Sequence, residues 1–366
     1  MKSNQKSRVS NFVRPLGSAA LVIAVAGCGG SGSGSGSSSG GSTPVTSAGA
    51  FVETKLVSDM PGIAAVTDPN MKNPWGISYQ PGGVFWVSDN NSGLSTLYDG
   101  TGKIQSLVVT VPGTGGNPGC PTGQVYNPTT DFVIGGSPAS FIFDAEDGLI
   151  TAWNNGVTAV TADDRSGTGA VYKGLALGVK GGANFLYAAN FNSGFVDVFD
   201  KNFTLQSSFT DKTVPTGFAP FGIANIGGQL YVTFAKQNAL KHDDVAGPGN
   251  GFVDVFNTDG TMVKRLVSNG ALNSPWGLVV PPSGFGQLGG ALLVGNFGDG
   301  KINAYNVSTG APMGVLETKS GTPIVIPGLW ALIFGNGGGA GPTTSLYFTS
   351  GPNSENDGLI GSLTNP

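Results

Sequence analysis

Past residue 50 the chain carries its apolar residues in short runs, commonly alternating with polar ones, and each run soon ends at Gly, Pro, Asn or Asp. No stretch there keeps a 3.6-residue apolar period for several turns, so the pattern predicts an all-β body of short strands and tight turns. The pattern also repeats. A proline or aromatic residue followed by glycine and an apolar run recurs as Pro74-Trp75-Gly76-Ile77, Pro121-Thr122-Gly123, Tyr172-Lys173-Gly174-Leu175, Pro220-Phe221-Gly222-Ile223, Pro275-Trp276-Gly277-Leu278 and Pro327-Gly328-Leu329-Trp330. The glycines at 76, 123, 174, 222, 277 and 328 stand 47, 51, 48, 55 and 51 residues apart. A second mark, a turn glycine opening an alternating strand, keeps step with the first over Gly93 to Asp99, Gly148 to Asn154, Gly194 to Asp200, Gly251 to Asn257, Gly300 to Asn306 and Gly358 to Thr364.

Between the marks each unit has room for three strands, as in Gly76 to Tyr79, Val84 to Ser88 and Leu94 to Tyr98, with a fourth apolar strand after them such as Ile104 to Val111 or Met262 to Val267. Four antiparallel strands per unit of about 50 residues, repeated around an axis, make a β-propeller, an arrangement that leaves only short, protected sheet edges. The last unit ends after its third strand at Leu363, so Phe51 to Val57 is expected to supply the missing fourth and close a ring of six blades. The Gly-His and Trp-Asp marks of the WD repeat are absent.

The repeat resembles that of the NHL and gluconolactonase-like six-bladed propellers. The stretches Asn73 to Ile77, Lys241 to Phe256, Leu272 to Leu278 and Gly295 to Gly300 are similar to those of an uncharacterised bacterial family of secreted propellers. The resemblance covers nearly all of residues 51 to 363; it implies the fold and brings no activity with it.

The segment before residue 50 changes where the protein is expected to sit. Lys2, Lys6, Arg8 and Arg14 precede the apolar stretch Ala19 to Ala26, the plan of a secretory signal over residues 1–28. Val25-Ala26-Gly27-Cys28 resembles the lipobox of bacterial lipoproteins, which implies lipid on Cys28 and an extracytoplasmic, membrane-held chain. Residues 29–50 read as a Gly/Ser-rich flexible linker and 51–366 as the propeller. Losing residues 1–28 removes four of 18 basic and none of 22 acidic residues, leaving a charge of −8 that argues against nucleic acid as a partner. With Cys28 lipidated, Cys120 is the one remaining cysteine, so no intramolecular disulfide forms in the mature chain. The chain is read as a monomer.

Strand order puts candidate chemistry on one face. The start of each innermost strand and the end of each second strand share a rim, because the chain runs down the first and returns on the second. That rim collects Asn73, Trp75, Trp276 and Trp330 with Asp89-Asn90, Glu146-Asp147, Asn190, Lys236, Asn296 to Asp299 and Asn353 to Asp357. Carboxylate and amide oxygens suit Ca²⁺, and Asp89, Glu146, Asn190 and Asn296 are the candidate ligands. The same residues before a turn glycine also cap their own backbone. Trp75, Trp276 and Trp330, with Lys236, are candidates for ligand contact, or the indoles fill the space between blades. A long loop after Lys236 gathers Lys241, His242, Asp243 and Asp244, and the last three are the candidate catalytic groups. His242 is the only histidine, so zinc sites built on a histidine pair are excluded. Gly284, Gly286 and Gly289 match a dinucleotide fingerprint in spacing but fall between two strands with no helix following, a glycine-rich turn.

Two functions follow. One is a binding or scaffold propeller for a protein or glycan partner. The other is a Ca²⁺-dependent hydrolase or lactonase, in which the ion polarises a carbonyl and His242, Asp243 or Asp244 serves as base.

Overall fold

A computed structural model describes residues 49–365. The signal segment, Cys28 and residues 29–48 of the linker lie outside the described residues. Among those described, six blades of four antiparallel strands follow one another along the chain, beside a two-stranded hairpin of Val133–Ile134 with Ser137–Pro138. The first holds Pro74–Ser78, Phe85–Asp89, Leu94–Tyr98 and Ile104–Thr110. The inner strands of the next four are Pro121–Tyr126, Tyr172–Lys180, Phe218–Ile226 and Pro275–Val279, each followed outward by three more strands. The sixth runs Leu329–Phe334, Leu346–Ser350, Leu359–Thr364 and then, from the other end of the chain, Ala50–Ser58. The chain is a six-bladed β-propeller.

Closure follows the expected pairing. Val52 faces Thr364 and Ser58 faces Leu359 in an antiparallel ladder. The closing strand reaches further than its apolar pattern suggested: Ala50 and Phe51 also pair in parallel with Glu317 and Thr318, beyond the fifth blade. Phe51 is buried and stacks on Phe285 with ring centroids 5.0 Å apart.

The anchor glycines have a steric cause. Around the axis the inner strands approach backbone to backbone. A Cβ on Gly76 would stand 2.5 Å from the Thr122 carbonyl oxygen, one on Gly123 2.3 Å from the Leu175 nitrogen, one on Gly222 2.1 Å from the Trp276 oxygen, and one on Gly277 2.6 Å from the Trp330 oxygen. In the sixth blade the register corrects the sequence reading. Leu329 lies opposite Ser350 and Leu332 opposite Phe348, matching Pro74 opposite Asp89 and Ile77 opposite Val87, so Ala331 and not Gly328 occupies the anchor position. Gly328 instead has a φ of +68° and sits against the Gly351 carbonyl.

Every inner strand breaks its ladder just before the anchor position. Side chains of the second strand take up backbone N–H groups released there: Gly222 N–H donates to Thr233 Oγ1 (2.7 Å), Ala331 N–H to Thr349 Oγ1 (3.0 Å) and Gly123 N–H to Asp144 Oδ1 (2.7 Å). The segment around Gly284 and Gly289 is a turn with a single short 3-10 element, as its context predicted.

Candidate functional site

The break turns one residue per blade toward the axis: Trp75, Thr122, Lys173, Phe221, Trp276 and Trp330 by register. Trp75 and Trp330 stack at 3.4 Å between centroids, Phe297 stacks on Trp330 at 4.0 Å, and Trp276 stands edge-on to both tryptophans. Trp75 and Trp330 are 2% and 1% exposed, so these rings plug the axis. The indole N–H of Trp276 donates to the Lys173 carbonyl (2.7 Å) and that of Trp330 to Asn73 Oδ1 (2.9 Å).

Lys173 is the unusual member. Its side chain is 2% exposed, and its ammonium lies 5.1 Å from the centre of the Trp75 ring, within cation–π range. It is ion-paired with Glu146, and Asp243 Oδ1 lies 3.8 Å away. Burial alone would push the lysine pKa down, but these carboxylates outweigh it and hold the group above its ordinary value.

The rim above continues this network. Asn90 Nδ2 donates to Glu146 Oε2 (3.0 Å), and Asn73 Nδ2 donates to Glu355 Oε2 (2.9 Å). Burial pushes the Glu355 pKa up to about 7, helped by the charge of Glu146. Glu355 is delivered by a left-handed turn in which Asn353, Ser354 and Glu355 have φ of 55°, 55° and 65°, a costly backbone for residues with a Cβ. The long loop brings His242 Nδ1 to 2.7 Å from Asp243 Oδ1; that bond raises the histidine pKa and lowers that of Asp243. Burial raises Asp244. Asn273 Oδ1 accepts from Gly247 N–H (2.7 Å) and ties the loop down.

Donor atoms of Glu146, His242 and Asp243 all lie within 4.8 Å of one another, a spacing that would suit a metal ion. The Lys173 ammonium already serves two of those three groups as counter-cation.

The candidate calcium ligands are not brought together. Asp89 is buried and accepts from Thr96 Oγ1 (2.7 Å). Asn190 donates to Asp197 Oδ2 (2.9 Å) and accepts from Val171 and Ser193 N–H. Asn296 donates to the Ala271 carbonyl and to Asp299 Oδ1. Each bonds within its own blade, although Asp89 Oδ1 and Asn296 Oδ1 are buried without a hydrogen-bond partner among the described residues, and only Glu146 reaches the axial network. Alternation along a strand is the reason. Asp89, Asn190 and Asn296 sit directly opposite the first residue of the inner strand, as Ala145 does in the second blade. The following position contributes to the axis, as Asn90, Glu146, Phe191 and Phe297 do. Trp75, Trp276 and Trp330 are brought together, as core more than as open surface, while Lys236 is exposed at the start of the loop. His242 and Asp243 join the network. Lys173 was missed, while Asn90 and Glu355 were placed on the rim but not among the candidate ligands; aligning each blade on the residue before its anchor glycine would have found Lys173.

No family model matches the chain. Two uncharacterised proteins of Acanthamoeba polyphaga mimivirus are similar to it: one is 32% identical over 327 residues, covering 84% of this chain and 78% of the relative. The other is 33% identical over 328 residues and covers 84% of each. The chain belongs to the family of these mimiviral proteins. The resemblance to bacterial propellers thus gives way to viral relatives among the curated proteins. Among solved structures, an α-L-arabinanase of Penicillium chrysogenum complexed with arabinobiose superposes with a TM-score of 0.54 at 14% identity, over 86% of this chain and 97% of that one, a likeness of fold alone.

Proposed function

We propose that this propeller is a binding module for a protein partner, exported and held at a membrane by lipid on Cys28, and that it receives a basic segment of that partner on the rim around Glu355. The observation that carries the reading is the buried Lys173, which pairs with Glu146 beside Asp243 where a hydrolase would hold its cation. Asp89, Asn190 and Asn296 bond within their own blades and stay off the Lys173–Glu146 network, so the candidate Ca²⁺ ligands do not gather around Glu146. The tryptophans that would have stacked on a sugar are buried against one another, which favours a protein over a glycan. What the rim presents is charge: Glu146, Asp147, Asp243, Asp244 and Glu355 against Lys173, His242, Lys236 and Lys241, with Asp299 and Asp357 beside Lys301 and Lys72. A rim with this excess attracts a cationic partner most strongly at low ionic strength. The signal-like and lipobox-like residues before Gly29 support the location.

An oligolysine peptide titrated onto the full chain tests this. Saturable binding that weakens with salt and with Glu355→Gln or Asp243→Asn is expected, together with no change in melting temperature on adding Ca²⁺ or EDTA. A rise with Ca²⁺ that EDTA reverses would overturn the binding-module reading and restore the hydrolase.

A further inference from the structure

We infer that the opposite half of the axial channel is a second binding site, built for an uncharged, ring-bearing small molecule. The inner strands begin at the charged rim, pass the aromatic plug and continue for several residues beyond it. There they enclose a cavity of about 460 Å³ that opens to solvent away from the rim. Its inner end is formed by Trp276 with Gly76, Gly277 and Ala331, the residues of the plug and of the anchor positions beside it. The plug makes this a blind pocket, and its volume falls within the roughly 300–1,000 Å³ typical of small-molecule sites.

The lining defines the ligand. It contains no Asp, Glu, Lys, Arg or His, although the opposite end of the same strands carries a dense charged network. An ionic ligand would lose its hydration here and gain no counter-charge. The walls are Ile77, Leu175, Ile223, Leu278 and Leu332, with Tyr79 and Tyr126 farther along their strands. The other polar side chains in the wall are already engaged with the protein. The Gln124 amide donates to Ser78 Oγ (2.9 Å) and accepts from Ser88 Oγ (3.0 Å); Asn225 Nδ2 donates to the Leu177 carbonyl (2.8 Å); the Trp276 N–H is spent on Lys173. What remains for a ligand is apolar surface, one indole, the hydroxyls of Tyr79 and Tyr126, and the backbone of the inner strands, each of which has a partner strand on one side only. Free edge N–H and C=O groups accommodate a few neutral hydrogen-bonding groups. A compact molecule with one or two rings and no formal charge satisfies these conditions.

The test uses N-phenyl-1-naphthylamine, an uncharged two-ring fluorophore, against its sulfonated analogue 8-anilino-1-naphthalenesulfonate on the full chain bearing Cys28→Ser. Saturable binding of one uncharged probe per chain is expected, with the sulfonate at least about tenfold weaker. Ala224→Phe and Val125→Trp, which fill the cavity from two blades, should each weaken the uncharged probe about tenfold or more. Val160→Ser, at an exposed apolar position on the outer strand of the second blade, should leave it unchanged. Equal affinity for the two probes, absence of saturation, or full binding by cavity-filled variants that melt like the parent would each overturn the inference. The probe comparison stands even where a filled variant does not fold.

Discussion

The two ends of the propeller axis are formed by the same six inner strands, yet they share almost no chemistry. At one end Lys173, Glu146, Asp243, His242 and Glu355 make a connected charged network; at the other Ile77, Leu175, Ile223 and Leu332 line a cavity with no Asp, Glu, Lys, Arg or His. Between them Trp75, Trp276 and Trp330 close the channel. The difference arises from what each strand end is attached to. The rim lies where the long loop after Lys236 and the left-handed turn at Glu355 come in, and those segments carry charge. The contrast teaches that one rigid ring supports two sites whose ligands are opposite in kind, provided that something dry separates them.

The separation is broken most severely at the buried cation. Lys173→Met keeps the length of the side chain and removes the charge, leaving Glu146 without its ion partner above an aromatic floor. Breaking a buried pair in this way costs about 3–5 kcal/mol, read as a lowered urea midpoint. Adding Glu146→Gln to that variant should restore a substantial part of the loss, because the orphaned charge is what destabilises; a double variant no better than the single one would show that Lys173 serves packing instead.

Glu355 comes next. Its pKa, ordinarily 4.5, stands at about 7 in the folded chain, so folded protein binds the proton more tightly than unfolded protein. Stability from this group is therefore present at low pH and is lost as pH rises from about 4.5 through 7, with a full difference on the order of 3 kcal/mol. Asp144 and Asp254, both also pushed up to about 7 by burial, slope the same way, and the informative quantity is the difference between parent and Glu355→Gln. Gln keeps an oxygen for Asn73 to donate to, so the variant should be the more stable of the two above pH 7 and lose that advantage by pH 4.5. Parallel melting curves across the range would remove Glu355 from the network. A smaller effect belongs to the plug: Trp330→Phe preserves most of the stacking but orphans Asn73 Oδ1, at about 1–2 kcal/mol.

The sequence carried the architecture because its two marks have steric and hydrogen-bonding causes that act in every blade. The anchor glycine is required where inner strands touch, and the Asp ending the second mark caps a turn, as Asp99 does for Thr101 and Lys103 and Asp200 for Asn202 and Thr204. It misled at Gly328, where an alanine fills the anchor position and a nearby turn glycine imitates it. The rim face was legible from strand direction, but which residue of each pair faces the axis depends on register, and an error of one position turned Asp89, Asn190 and Asn296 inward to their own blades. Lys173 looked like one more residue of a repeat, since burial of a cation is decided by Glu146 and Asp243 from distant parts of the chain. The cavity was invisible altogether: it depends on how far apart the inner strands stand, which no single strand encodes.

The smallest expected effect sharpens the contrast best. Between pH 5.5 and 8, His242, whose pKa is raised by Asp243, and Glu355, at about 7, both change charge at the rim. As pH falls the rim gains positive charge and loses negative charge, so oligolysine should bind progressively more weakly. No side chain of the cavity lining titrates in that interval, since phenols ordinarily ionise near 10 and burial raises Tyr79 further. Asp144, at about 7, stands behind the wall as acceptor of Gly123 N–H, so Asp144→Asn serves as the control. The cavity's affinity for the uncharged naphthylamine should then change by less than about twofold while the peptide affinity moves severalfold in the same samples. If instead both ligands weaken together, the tryptophan layer is not an electrostatic divide, and protonation at the rim is felt through it by the pocket beyond.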